Sequence, residues 1–260
     1  MVKSSGDRLL MLASIRVVGL LAGLAVAVVV PLPSAESIPY LLAAAAVHYL
    51  YYALMLSAYR AGDMNQVYPI ARGSAPLLVA LLAAVLAGER LGPLPTLAVL
   101  VLSFGIFLLA SSGRSVNRKA VVLALLTGVA IAGYSFLSGL GIRKSQSLLG
   151  YIAWLEVATG IGMASVAYVR RKSVLVEFAR TQWRSGLVAG SLSVTGYGIA
   201  LWAMSALALA PVVALRETSV VFGAIIGSVF LREGFAGRRV AAAVTVVVGI
   251  ALLAAGATAA

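Results

Sequence analysis

The chain has 260 residues, of which 62% are hydrophobic and 11% charged, with a mean hydropathy of +1.05. Soluble domains are about 45–50% apolar and about 25% charged, so lipid is the solvent here, and a disordered chain, a secreted disulfide scaffold and a soluble enzyme are excluded. The net charge of +12 comes from Lys and Arg placed in short gaps between long apolar runs, the pattern of membrane loops and not of a nucleic-acid binder.

A helix needs about 20 apolar residues to cross roughly 30 Å of hydrocarbon. Such runs occur at 9–30, 38–58, 65–87, 95–112, 120–140, 148–168, 185–206, 209–231 and 239–257. They predict an all-α, polytopic membrane helix bundle with nine spans. The first run is too long for a signal peptide, is interrupted by Arg16 and lacks a cleavage-type ending. Connections are short, which sets successive helices antiparallel. The longest connection is expected over 169–184, VRRKSVLVEFARTQWR. Nothing alternates with the period of a barrel strand. GLVAG at 186–190 and GAIIG at 223–227 read as small-residue packing surfaces. With no cysteine and a single histidine, His48, there is no disulfide, thiol or multi-histidine metal chemistry.

Sidedness follows from the loops. Segments on the side of Met1 hold 14 Lys and Arg, and the opposite side holds Arg90, Arg143 and Lys144. The bias makes the Met1 side cytoplasmic, and nine spans then place the C-terminus outside a cell membrane.

A shift of 144 residues superposes Arg72 on Arg216, Glu89 on Glu233 and Gly105 on Gly249, and aligns GIFLLA (105–110) with GIALLA (249–254). Five spans separate the two copies, so they enter the membrane from opposite sides, as in many secondary transporters. The expected halves are 1–112 with four spans, a linker at 113–119, and 120–260 with five. The first half is one helix short: either the numbering begins inside a longer protein, which is the leading expectation because MVKSSGDR reads as a loop following a preceding helix, or the chain works with nine helices.

YPIARGSAPLLVALLAAVLAGERL (68–91), with the following helix ending GIFLLA, resembles the EamA-like repeat of the drug/metabolite transporter superfamily. ALALAPVVALRETSVVFGAIIGSVFLRE (206–233) resembles its second copy. The resemblance implies ten helices in two inverted five-helix halves that move small metabolites or drugs. It also implies a first helix ahead of VKSSGDRLL. Relatives are usually drawn with both termini in the cytoplasm, whereas the charges here put the C-terminus outside.

Charged residues inside spans are costly and usually face a cavity or a partner. Arg72 lies roughly 10 Å into its span, on one helix face with Tyr68 and Pro76. Pro76 frees a carbonyl and can kink the helix. An arginine there suits a carboxylate or phosphate, or else an internal pair with Glu217 or Glu156. Arg216 and Glu217 occupy the matching depth of the later span, and at most one of two adjacent residues is expected to point straight into a cavity. Arg216 reads as structural. Glu217 and Glu156 are the candidate proton carriers, or else a locked salt bridge and a helix-to-helix hydrogen bond. Arg16 is expected to snorkel to the interface. His48, Tyr52, Tyr134, Tyr197 and Trp202 are candidates to line a mixed polar and apolar pocket. Glu89 and Glu233, beside Arg90 and Arg232, read as anchors at helix ends.

No phosphate loop, metal set or nucleophile–base pair stands out, so no cofactor and no metal are expected. The leading expectation is a secondary transporter, working as an exporter of a small organic solute by alternating access, with possible proton coupling, as a monomer or homodimer in the lipid bilayer. The alternatives are a small intramembrane enzyme and a truncated or non-transporting membrane subunit.

Overall fold

The structure, a computed structural model, describes residues 7–62, 64–109, 117–221 and 237–258. These residues form α1 (Arg8–Ala27), α2 (Ile38–Ala61), α3 (Met64–Leu86), α4 (Pro93–Leu108), α5 (Arg118–Lys144), α6 (Leu148–Ala206), α7 (Leu209–Glu217) and α8 (Gly237–Thr258), with no strand among them. The chain is an all-α polytopic membrane bundle. Among the described residues, six segments are long and apolar enough to cross a membrane, and Pro93–Leu108 and Val240–Gly256 are shorter apolar helices. The expected span 209–231 is described over 209–221. GAIIG (223–227), Arg232, Glu233, residues 1–6 and most of the 113–119 linker lie outside the described residues.

Lipid inverts the usual placement of side chains. Leu21, Leu81, Phe104 and Leu192 are exposed inside helices, whereas Ala44, Ala58, Ala75, Ala98, Ala124 and Ala132 are buried. Lipid tails are as apolar as leucine, so close approach between small residues, not hydrophobicity, selects the interior.

α6 (Leu148–Ala206) is two helical arms joined at a kink, where Arg171 has non-helical geometry (φ −139°, ψ 23°). The break falls inside the expected connection 169–184, at the end of the apolar span Leu148–Lys172 and ahead of Arg180–Ala206. The segment contains neither glycine nor proline and is rich in Arg, Leu, Glu and Ala, so the residues beside the break stay helical.

By packing, the chain forms two compact units. The first takes residues 1–50 and 137–206, and the second 51–136 and 207–260. The boundaries fall within α2 and α5, and each unit draws on both sequence halves.

In the first unit α1 lies along α6. Gly19 and Gly23 open the surface of α1. A Cβ on Gly23 would sit 2.6 Å from the Ala153 carbonyl, and one on Gly160 would sit 2.8 Å from the Arg16 carbonyl. Gly186 and Gly190 press on Ser14 and Val18, so GLVAG is a packing surface against α1. Asp7 caps α1, accepting from the Leu9 and Leu10 amides, and its second oxygen accepts a 2.6 Å bond from Arg171 Nε at the α6 break. Ser34 donates to the Lys144 carbonyl and Ser147 to the Pro31 carbonyl, which ties the α1–α2 connection to the α5–α6 turn.

In the second unit α3 packs on α4 and α7, and α4 packs on α8. Gly105 and Gly249, equivalent under the 144-residue shift, both lie at the α4–α8 contact, against Val246 and Leu102 respectively. Gly88 ends α3 at φ +67°, a left-handed position that favours glycine. Glu89 then accepts a 3.0 Å bond from the Leu209 amide at the start of α7, an anchor at a helix end as its position suggests.

Candidate functional site

Charged side chains buried within spans gather at two centres, one in each unit.

In the second unit, α3 carries Arg72 and α7 ends on Arg216 and Glu217. Glu217 is fully buried, and both its oxygens are engaged. Arg72 Nη1 donates to Oε2 at 2.6 Å, while Arg216 donates to Oε1 from Nε at 3.0 Å and from Nη2 at 2.7 Å. The two arginines that the sequence shift superposes therefore meet on one carboxylate. Arg216 reaches it by folding back on its own neighbour, so both adjacent residues join the centre. A long guanidinium arm spans the angle that separates adjacent positions on a helix.

Aromatic rings frame these cations. The Arg72 guanidinium lies 5.1 Å from the Tyr68 ring centre, one turn away, and that of Arg216 lies 5.7 Å from Tyr134. Arg216 also donates to the Tyr134 hydroxyl at 3.3 Å. Tyr51 stacks edge-on against Tyr134 at 5.5 Å and lies 5.0 Å from Tyr52. Tyr51, Met55, Tyr59, Tyr68, Arg72 and Thr127 line a crevice that is too narrow in this conformation for a water-sized sphere. Met55 and Tyr59 were not singled out from sequence, although their spacing of four from Tyr51, the neighbour of Tyr52, puts all three on one face of α2. Pro76 lies within α3, and its missing N–H leaves the Arg72 carbonyl without an intrahelical donor.

The other centre, in the first unit, is an ion pair. Arg16 Nη1 donates to Glu156 Oε2 at 3.1 Å and Nη2 donates to Ser193 Oγ at 2.9 Å. Arg16 is buried, which corrects the expectation of snorkelling. It lies too far from either end of α1 to reach the interface cheaply, and the bare surface of Gly19, whose Cβ would collide with Glu156 Oε2, makes room for a carboxylate. His48 and Tyr197 form a separate pair, edge to face at 5.7 Å. His48 Nδ1 is bonded with the Ala44 carbonyl, and Tyr197 donates to Ser138. Trp202 is 62% exposed on α6. Of the candidate residues, Tyr68, Arg72, Tyr134, Arg216 and Glu217 form one site, while His48, Glu156, Tyr197 and Trp202 belong to the first unit.

No cluster of potential metal ligands occurs among the described residues. A search of curated proteins gives no match. A solved structure, described only as the crystal structure of a protein, is similar to this chain with a TM-score of 0.73 at 20% identity, over 97% of this chain and 88% of that one. At that identity the likeness is one of fold. The model of the EamA-like transporter family matches residues 118–255, more than half of the chain. The chain belongs to the EamA-like transporter family.

Proposed function

We propose that the chain is a secondary transporter that exports a small organic solute bearing a carboxylate or phosphate. Its binding centre is built on Arg72, framed by Tyr68, Tyr51 and Tyr134. The observation that carries this reading is the sharing of Glu217 by two arginines that are equivalent in the two sequence halves. Arg72 keeps 18% of its side chain exposed over a fully buried partner, so an anion can reach it once the crevice widens. Guanidinium presents five donors in a fork that suits a carboxylate, and the tyrosine faces suit the apolar body of the solute.

The arrangement suggests how coupling works. A solute anion bonding Arg72 competes with Glu217 for the guanidinium. Glu217, released from one arginine, becomes the group that takes up a proton. Solute binding and proton binding are then linked at one carboxylate. Inverted repeats support alternating access, in which the crevice widens toward one side at a time.

The test is transport by purified protein in liposomes, loaded with a mixture of small organic acids and their neutral amides. Protein-dependent loss of the acids, steeper when the lumen is made more acidic than the outside, supports the reading. Equal loss of acids and amides contradicts it. The charge bias assigns residues 169–184 to the cytoplasm and the 28–37 connection to the outside. Because the chain has no cysteine, single cysteines report this cleanly. In intact cells Leu32→Cys should react with a membrane-impermeant thiol reagent and Thr181→Cys should resist it. The reverse pattern overturns the orientation.

A further inference from the structure

One hollow among the described residues is lined by none of the residues of the Arg72 centre. It lies in the first unit, has a volume of about 380 Å³, and is walled by α1 and both ends of α6. Small residues create it: Ala22 and Gly23 on α1, Ala153 on the first arm of α6 and Gly198 on the second. A Cβ on Gly198 would meet nothing nearer than Ile152 Cγ2 at 4.0 Å. The lining is aliphatic except for Glu156, Thr195 and Trp202, and Glu156 is already bonded to Arg16. A polar ligand therefore finds almost nothing to bond, whereas a hydrocarbon finds walls on three sides.

Two features identify the hydrocarbon. Leu149, Ile199 and Trp202 at the rim are 56–62% exposed on the two membrane-crossing arms of α6, so the mouth opens to lipid tails. Along α6 the hollow runs from Leu148 to Glu156, about 12 Å at 1.5 Å per residue, close to the hydrocarbon depth of one leaflet, about 15 Å. We propose that this hollow is a binding site for one acyl chain of a membrane phospholipid, lying along α6 with its end against the buried Arg16–Glu156 pair. The site is independent of the transport reading. It would hold a resident lipid against the α1–α6 joint.

The test uses Trp202 as the reporter. Trp154→Phe with Trp183→Phe leaves it as the sole tryptophan, since the chain has three. This protein, stripped of lipid in detergent, is titrated with phosphatidylcholine brominated in its acyl chains. Fluorescence should fall along a saturable curve that ends at one lipid per chain. Gly198→Leu should weaken that binding by about tenfold or more while circular dichroism and melting stay unchanged. Ala22→Leu, on the opposite wall, replaces it if the first variant does not fold. A companion protein keeping only Trp183, which is 56% exposed away from the hollow, should show unsaturable quenching. Unsaturable quenching of Trp202 in the unfilled protein, or saturable quenching untouched by a folded filling variant, overturns the proposal.

Discussion

Each unit buries a glutamate against arginine, yet the two centres differ in what they leave open. In the first unit, Arg16 and Glu156 have side-chain exposures of 7% and 3%; the second terminal nitrogen of Arg16 is spent on Ser193, and Gly19 lets α1 close over the carboxylate. In the second unit, Glu217 has no exposure, but Arg72 and Arg216 keep 18% and 16%, with tyrosine faces beside them. A buried ion pair by itself is weak evidence for stability or for function. What separates the centres is where the remaining cation surface points. The first is closed and acts as a joint between helices. The second holds cations partly open against aromatic rings, as a site for an anion requires.

The largest expected effect comes from removing the shared carboxylate. Glu217→Ala leaves two guanidiniums without it and should cost about 3–5 kcal/mol, read as a fall in melting temperature in detergent. Glu156→Ala should cost less, because Arg16 retains Ser193. If the first-unit variant is the more damaging, the assignment of joint and site is reversed. The packing of the joint is tested by Gly19→Ala, whose new Cβ collides with Glu156 Oε2. It should lower stability by about 1–3 kcal/mol, with no change in solute affinity in the folded fraction.

The smallest effect lies at the membrane edge of the first unit. Burial pushes the Asp7 carboxyl up, but the Arg171 hydrogen bond and charge and the Leu10 and Leu9 amides outweigh it, so the group is held below its ordinary 3.8. A folded carboxyl below the unfolded one contributes stability that is fully present above about pH 3.8 and is lost as pH falls through the lower folded value. Asp7→Ala should therefore cost about 1 kcal/mol at neutral pH, mostly as a lost cap, since the partner Arg171 is 43% exposed and the bridge is screened. The difference from the parent should vanish in strong acid. A constant difference across pH would show that the carboxylate is not the cause.

Much of this was legible in the sequence because lipid imposes a simple rule on composition. Long apolar runs had to be helices, and the rare charges inside them, Arg72, Glu156, Arg216 and Glu217, had to find partners or cavities. The pairing of Arg72 with Glu217 was foreseeable as one of two options, because both lie at matching depth. The partner of Arg16 was not, since Glu156 lies 140 positions further along the chain and the contact depends on Gly19 clearing space on α1. The junction between two spans within 169–184 was legible from its charge cluster, but its place at Arg171 was not, because no glycine or proline marks it. Tyr59 escaped notice because tyrosine at a membrane interface is ordinary, and only its shared face of α2 with Tyr51 and Met55 distinguishes it. The division of the candidate aromatics between two units follows from tertiary packing, which cuts through α2 between His48 and Tyr51.

The central claim is that Arg72 meets the anionic group of the solute while Arg16 serves only the fold. The direct measurement is acid transport in liposomes by Arg72→Lys and Arg16→Lys, each compared with the parent at equal amounts of folded protein. Lysine keeps the charge and loses the bidentate fork. Arg72→Lys should weaken solute affinity by about tenfold, whereas Arg16→Lys should transport normally. Unchanged affinity in Arg72→Lys, or an equal loss in both variants, would contradict the account.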